Sequence, residues 1–291
     1  MAALRFKQVD VFTRKPFFGN PVAVVLDAAA LTSEQMQRIA AWTNLSETTF
    51  VLPPSSADAD YRLRIFTPKQ ELPFAGHPTL GSAHAVIESG VANARQGKLR
   101  QECLAGIVDL SVEATGQGQR ILLESPQAKI TALDDGATGA LASALGLTIG
   151  LKASALRVDV GVVWLIANLS DAETVAALKP DMDRVLQVSL ANQASGITAF
   201  GKANDGLSQI HVRSFAPALG VAEDPVCGSG NASVAAYLIH YGLLREIGAE
   251  YLACQGMQVG RDGQVAVRVQ DDIIRIGGYA VTCVDGTLRV D

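Results

Sequence analysis

Residues 64–90, RIFTPKQELPFAGHPTLGSAHAVIESG, return later in the chain as residues 213–242, RSFAPALGVAEDPVCGSGNASVAAYLIHYG. Arg64, Phe66, Pro68, Glu71, Pro73, Gly76 and Gly90 answer to Arg213, Phe215, Pro217, Glu223, Pro225, Gly228 and Gly242. Gly90 follows Gly76, and Gly242 follows Gly228, by the same 14 residues; only the loop before the glutamate differs, being three residues longer in the second copy. Each copy reads as strand, loop, glycine turn and apolar helix. A repeat of this kind outranks any single motif as a sign of architecture, and here it implies two similar halves.

In the first copy the expected helix, residues 79–88, is apolar nearly all round, with Leu80, Ala83, Ala85, Val86 and Ile87. Such a helix is buried, and one buried inside a single half must be wrapped by a curled sheet. Its N-terminus aims unpaired backbone N–H groups past Gly76 and His77, a setting that favours a carboxylate or another anion. His77 reads either as a general acid or as a cap. His84, further along the apolar helix, reads as a satisfied core histidine.

Outward from the repeat, residues 4–12 alternate as a strand and residues 22–26 form a continuously apolar one. Thr32 or Ser33 caps a helix over residues 34–42. Residues 97–124 read as three short strands, with Cys103 at a buried strand position. A short helix is expected over residues 138–145, stopped by Gly146, Leu147 and Thr148, and two strands flank Gly161. Residues 171–178 and a stretch from about residue 180 read as helical. The tail, residues 264–291, reads as strands that return to the first half. The division expected is residues 1–125, completed by a strand over about 279–291, and residues 126–278.

Composition narrows the function classes. The 291 residues carry 24 basic and 29 acidic side chains, a formal net charge of −5, with no basic run and few aromatics. That argues against a nucleic-acid or anionic-membrane partner. No uncharged apolar run approaches the roughly 20 residues that span a bilayer. The start, MAALRFKQVDVF, enters a strand pattern with no signal segment. Cys103, Cys227, Cys254 and Cys283 show neither metal nor disulfide spacing. The expectation is a cytoplasmic globular protein with no metal site.

Glu47 lies where a turn enters a β-branched strand, between Leu45 and Ser46 on one side and Thr48, Thr49 and Phe50 on the other. Partial desolvation there raises a carboxyl pKa and makes it a usable acid or base. The structural alternative is a glutamate accepting backbone hydrogen bonds at a strand start. Glu47 precedes Arg64 by 17 residues, and Gly196 precedes Arg213 by 17, so Gly196 is the counterpart of Glu47. A scaffolding glutamate would be more at home in both halves. Asp224 likewise replaces Leu72. Cys227, at a glycine turn before a helix, reads as a thiol with a lowered pKa or as a small buried side chain.

Four motifs, Gly19-Asn20-Pro21, NLSETTF (44–50), ELPFAGHPTLG (71–81) and EDPVCGSGN (223–231), together resemble the PhzF family, the isomerase-like branch of the diaminopimelate epimerase superfamily. They stand in the family's order, and the resemblance covers essentially the whole chain. It implies an α+β, diaminopimelate epimerase-like fold of two pseudo-symmetric halves, each a curled mixed sheet around a central helix, with the active site in the cleft between them. It further implies no cofactor or metal, a homodimer, and a small carboxylate-bearing substrate. By the same resemblance Glu47 moves the proton, His77 and Asp224 assist, and Ser46, Gly76, Gly228 and Ser229 hold the substrate, with Cys227 beside them.

Diaminopimelate epimerases and proline racemases use two thiols, one at each glycine turn. Here Ala75 stands at the first position and Cys227 at the second, so the two-cysteine arrangement is excluded. The phenazine-pathway enzymes resemble threonine at the second position, so Cys227 is a departure. Three activities remain open: a cofactor-independent isomerase working through Glu47, a Glu47/Cys227 two-base epimerase or racemase of an amino-acid-like substrate, and a non-catalytic small-ligand-binding protein.

Overall fold

β-branched and aromatic residues supply most strands, and small apolar residues the two buried helices. The computed structural model describes residues 2–147, 151, 153–203 and 205–290. The chain forms two units, Met1–Leu123 with Gly277–Asp291, and Glu124–Ile276.

In the first unit β1 (Ala2–Val11) pairs antiparallel with β2 (Asn20–Val25). Helix α1 (Ser33–Thr43) opens on a capping box in which the Thr32 hydroxyl accepts from the Gln35 N–H and the Gln35 side chain accepts from the Thr32 N–H. It ends at Asn44, whose left-handed φ of 54° turns the chain out of the helix. β3 (Thr48–Leu52) runs parallel to β2 and antiparallel to β4 (Tyr61–Phe66). β5 (Glu71–Leu72) folds back on β4 and leads into α2 (Gly76–Glu88). β6 (Lys98–Cys103), parallel to β4, continues into β7 (Gly106–Thr115) and β8 (Gly118–Glu124). Cys103, only half-buried, ends β6 rather than lying in the core.

Helix α2 packs on β1, β2, β3 and β4, burying Thr79, Leu80, Ser82, Ala83, Ala85 and Val86. It begins at Gly76 rather than at residue 79. Pro78 lies inside the first turn, where a missing N–H has no intrahelical partner to lose.

The second unit repeats this plan. β9 (Lys129–Ala132) precedes α3 (Asp135–Ala144), which starts three residues before the expected 138 because the Asp134 carboxylate accepts from the Ala137 N–H at 2.7 Å. Of the residues expected to stop α3, Thr148 lies outside those described. β10 (Leu156–Asp159) pairs with β9 and with β11 (Val163–Asp171). α4 (Ala172–Ala177) and α5 (Met182–Ala191) lead to β12 (Gly196–Lys202), parallel to β11 and antiparallel to β13 (Ile210–Ala216). β14 (Val221–Asp224) precedes α6 (Gly228–His240) and α7 (Leu244–Ile247). β15 (Glu250–Gln255) runs parallel to β13 and antiparallel to β16 (Gly263–Gln270); β17 (Ile273–Gly278) follows. Helix α6 packs on β10, β11, β12 and β16 and is buried from Gly230 to Leu238.

β18 (Ala280–Val290) returns to the first unit, antiparallel to β1, with a bulge opposite Gln8 and Val9. Leu288 and Val290 pack against the cluster of Leu4, Val25, Met36 and Phe50. Each unit is thus a mixed sheet curled about one buried helix, an α+β architecture. Among the described residues no helix is long and apolar enough to cross a membrane.

The repeat holds at the level of register. Thr48 faces Phe66 across β3 and β4, and Ile197 faces Phe215 across β12 and β13. Arg64 binds Glu71 through Nε and Nη2 at 2.7 and 2.6 Å; Arg213 binds Glu223 through the same atoms at 2.9 and 2.8 Å.

Candidate active site

Glu47 is placed by two constraints. Asn44 stops α1 three residues earlier, and the Glu47 carbonyl accepts from the Ala23 N–H at 3.4 Å as β3 joins β2. The next turn of chain is locked from behind, since the Thr49 and Ser82 hydroxyls lie 2.8 Å apart between β3 and α2. The Glu47 side chain is 16% exposed, and its Oε2 atom is fully buried with no hydrogen-bond partner among the described residues. Oε2 lies 3.4 Å from His77 Nε2, itself on an 11% exposed side chain. Burial pushes the Glu47 carboxyl up from 4.5 to about 7, because the charged form loses its hydration without gaining hydrogen bonds.

His77 is the second residue of α2 and does not cap it; Ala75 is the N-cap and offers no side chain for the purpose. Near the place where a Cβ on Gly76 would stand, only Leu123 Cδ2 comes within 4 Å, at 3.9 Å. Gly76 is half-buried, and its backbone is approachable on that side of the helix start, where the unpaired N–H groups and the positive end of the dipole lie. Ser46 is exposed in the turn before Glu47. His84 contacts the Thr282 hydroxyl at 3.3 Å and has the satisfied, structural character expected of it.

In the second unit the counterpart turn carries Asp224 and Cys227. Asp224 Oδ1 accepts from the Val226 N–H at 3.1 Å. Cys227 is the N-cap of α6: its Sγ accepts from the Gly230 N–H at 3.2 Å. Gly230 is needed for that closeness, since a Cβ there would stand 2.8 Å from Ser214 Oγ and 2.9 Å from Thr198 Oγ1. Ser229 Oγ lies 3.6 Å from Cys227 Sγ and accepts from the Trp164 indole N–H at 2.9 Å.

Helix-start placement alone leads one to expect a lowered thiol pKa at Cys227, and the opposite holds. Burial pushes the thiol well above its ordinary range and the Asp224 carboxylate adds to this; the Ser229 hydroxyl and Gly230 N–H pull down and lose. Desolvation outweighs the dipole because Cys227 is 4% exposed.

Three polar side chains about the second turn escaped sequence reasoning: Trp164, Asn231 and Gln255. Trp164 and Gln255 find their partners 24 to 65 residues away, so no local spacing announces them. Asn231 alone carried a sequence signal, at the end of the EDPVCGSGN motif. Among the described residues no three His, Cys, Asp or Glu side chains form a metal-ligating group.

A duplicated α+β scaffold, each unit a mixed sheet curled about one buried helix, is the fold class shared by epimerases and racemases. A hydroxyproline epimerase from Agrobacterium vitis shares that fold, with a TM-score of 0.61 and 14% identity over 98% of this chain and 92% of that one. Within the class, the chain belongs to the phenazine biosynthesis-like protein family, whose sequence pattern matches residues 9–286. A PhzF-family phenazine biosynthesis protein of Bacillus anthracis superposes with a TM-score of 0.88 and 29% identity over 100% of both chains.

Antisense-enhancing sequence 1 of Schizosaccharomyces pombe is 41% identical over 290 residues, 97% of each chain. Trans-2,3-dihydro-3-hydroxyanthranilate isomerase of Pseudomonas aeruginosa is 34% identical over 284 residues, 96% of this chain and 95% of that one. The chain is an enzyme of this isomerase family.

Proposed function

We propose that this enzyme moves a proton on a small carboxylate-bearing substrate by general acid–base catalysis, without a cofactor, and that Glu47 carries the proton. One observation supports the reading above the rest: Glu47 Oε2 is buried without a hydrogen bond among the described residues, 3.4 Å from His77 Nε2, on a carboxyl with a pKa of about 7. Burying a carboxyl without hydrogen bonds costs stability. A purely structural glutamate would gain nothing from it.

The chemistry follows from those parts. Glu47 Oε2 takes a proton from a carbon next to a carbonyl or unsaturated group, and the C–H electron pair moves into that π system. The new O–H then returns the proton to a different carbon, so that the net change is isomerisation. A group titrating near neutral pH gives and takes with little driving-force penalty, an effect typically worth about 10²–10⁴-fold. His77 stands ready to receive or return that proton. The α2 start at Gly76 holds the substrate carboxylate through its backbone N–H and dipole, a stabilisation that strengthens as water leaves. Asp224 assists, while Ser46, Gly228 and Ser229 are assigned to substrate binding.

The two-base alternative asks Cys227 to ionise, and burial together with Asp224 opposes that. We assign Cys227 to binding and capping. The working form is taken to be a cytosolic homodimer, which light scattering on the purified chain checks.

The substrate named for the P. aeruginosa relative, trans-2,3-dihydro-3-hydroxyanthranilate, is the first compound to test, in heavy water and with a chelator present. Deuterium entering product carbon supports proton transfer through the enzyme. Product without deuterium would mean that the proton returns before it exchanges; isomerisation by Glu47→Gln at the parent's rate would count against the proposal.

A further inference from the structure

We propose that Gln255 is the positioning residue of the second unit's candidate site: its single amide grips the Asp224–Cys227 turn at both ends and thereby sets where the Asp224 carboxylate and Cys227 thiol stand. The proposal rests on the reading of Asp224 and Cys227 as site residues.

Gln255 ends β15 and is 0% exposed. Its Nε2 donates to the Asp224 carbonyl at 3.0 Å, and its Oε1 accepts from the Cys227 N–H at 3.1 Å. The same Oε1 accepts from Asn231 Nδ2 at 3.0 Å, and that Nδ2 also donates to the Cys227 carbonyl at 2.9 Å. A buried amide with both ends engaged has one orientation, so the turn it holds has one too. Backbone packing tightens the grip: Gly256, with φ of +103°, runs directly under the Pro225 carbonyl, and the Val226 side chain fills the space beside Gly263.

Comparison of the two units separates this clamp from ordinary core polarity. Leu63 and Val212 are equivalent in the repeat, and Val212 pairs with Gln255. In the first unit the parallel pairing runs Tyr61 to Gln101 and Arg62 to Glu102, so the next step along that register sets Cys103 in the place of Gln255. The Cys103 thiol donates only locally, to the Gly106 carbonyl at 3.4 Å. The amide clamp is thus present where Asp224 replaces Leu72 and Cys227 replaces Ala75, and missing where they do not. The first unit also buries a strand glutamine, Gln101, but its amide donates to the Thr79 hydroxyl and accepts from the Tyr61 hydroxyl, and it holds neither end of the Leu72–Ala75 turn.

The test follows Cys227 alone, by mass spectrometry of its peptide after timed alkylation with iodoacetamide over about pH 7–10, where thiols ionise. The proteins are the full chain, Gln255→Leu and Gln255→Glu, each with its melting temperature. In the parent, Cys227 reacts slowly up to the alkaline end. Gln255→Leu frees both ends of the turn, and Cys227 alkylation is expected to accelerate at least about tenfold near pH 8 as water restores ordinary thiol acidity. Gln255→Glu keeps an acceptor for the Cys227 N–H and should stay closer to the parent. Variants that melt earlier yet alkylate with the parent's pH profile would overturn the proposal, as would failure of both to fold, which would make Gln255 a core residue only. Because alkylation needs no substrate, this outcome is independent of whether Glu47 moves a proton.

Discussion

Glu47 and Gly196 hold the same place in the two units, one residue before Thr48 and Ile197, which face Phe66 and Phe215 in matching register. The first unit fills that place with a buried carboxyl. The second fills the equivalent space from the neighbouring strand, with the ring of Trp164, paired directly with Gly196 across β11 and β12. The scaffold is duplicated and the acid is not.

That substitution of one bulk for another makes Gly196 intolerant. A Cβ there would stand 2.8 Å from Trp164 Cζ3 and closer still to the Phe215 carbonyl oxygen. Backbone oxygen in a paired strand cannot give way as a flexible side chain does, so Gly196→Ala is expected to cost upwards of about 3 kcal/mol, the top of the overpacking range. Chemical denaturation measures it. A loss below about 1 kcal/mol would mean that β12 shifts freely.

Glu47→Gln should stabilise the protein, and only at high pH. The folded carboxyl titrates at about 7 against 4.5 unfolded, so between those values the native state holds a proton that the unfolded state has released. Stability contributed by this group therefore falls as pH rises through that window, and above it the native state carries the full cost of a buried charge. At about 1.4 kcal/mol per tenfold change, the gain from Glu47→Gln is on the order of 3 kcal/mol above pH 7 and vanishes below about pH 4.5. Denaturation of both proteins across that range checks the sign as well as the size.

The repeated arginine pairs should differ in weight. Arg213 and Glu223 are 6% and 9% exposed, while Arg64 and Glu71 are 17% and 23% exposed. Arg213 Nη1 also donates to the Val175 and Leu178 carbonyls, at 3.2 and 2.9 Å. Removing it strands a buried carboxylate and two carbonyls, so Arg213→Met is expected to cost about 3–5 kcal/mol. Arg64→Met should cost less than half as much, since water reaches Glu71. Equal losses would show that burial is not what separates the pairs.

Much of this was legible in the chain itself. Spacing from Gly76 to Gly90 and from Gly228 to Gly242 gave two buried helices, and the interval from Glu47 to Arg64 aligned Glu47 with Gly196. Those signals are local or periodic, as side-chain alternation and helical repeats are. Of the two readings of Cys227 the small buried thiol holds: a helix start is visible in sequence, whereas the desolvation that outweighs it is a property of packing. Strands β9 and β15 were not foreseen, and with β15 went Gln255. Its hydrogen bonds span 24 to 31 residues and depend on parallel pairing with β13, which no short-range pattern encodes.

The central claim is that Glu47 is the group that moves the proton. The most direct test is the rate of isomerisation, measured against pH for the parent enzyme and for Glu47→Gln. The parent should show a limb near pH 7, where the carboxyl titrates, and Glu47→Gln, folded and still binding substrate, should lose about 10²-fold or more with no such limb. Isomerisation by Glu47→Gln at the parent's rate and with the same limb would contradict the account.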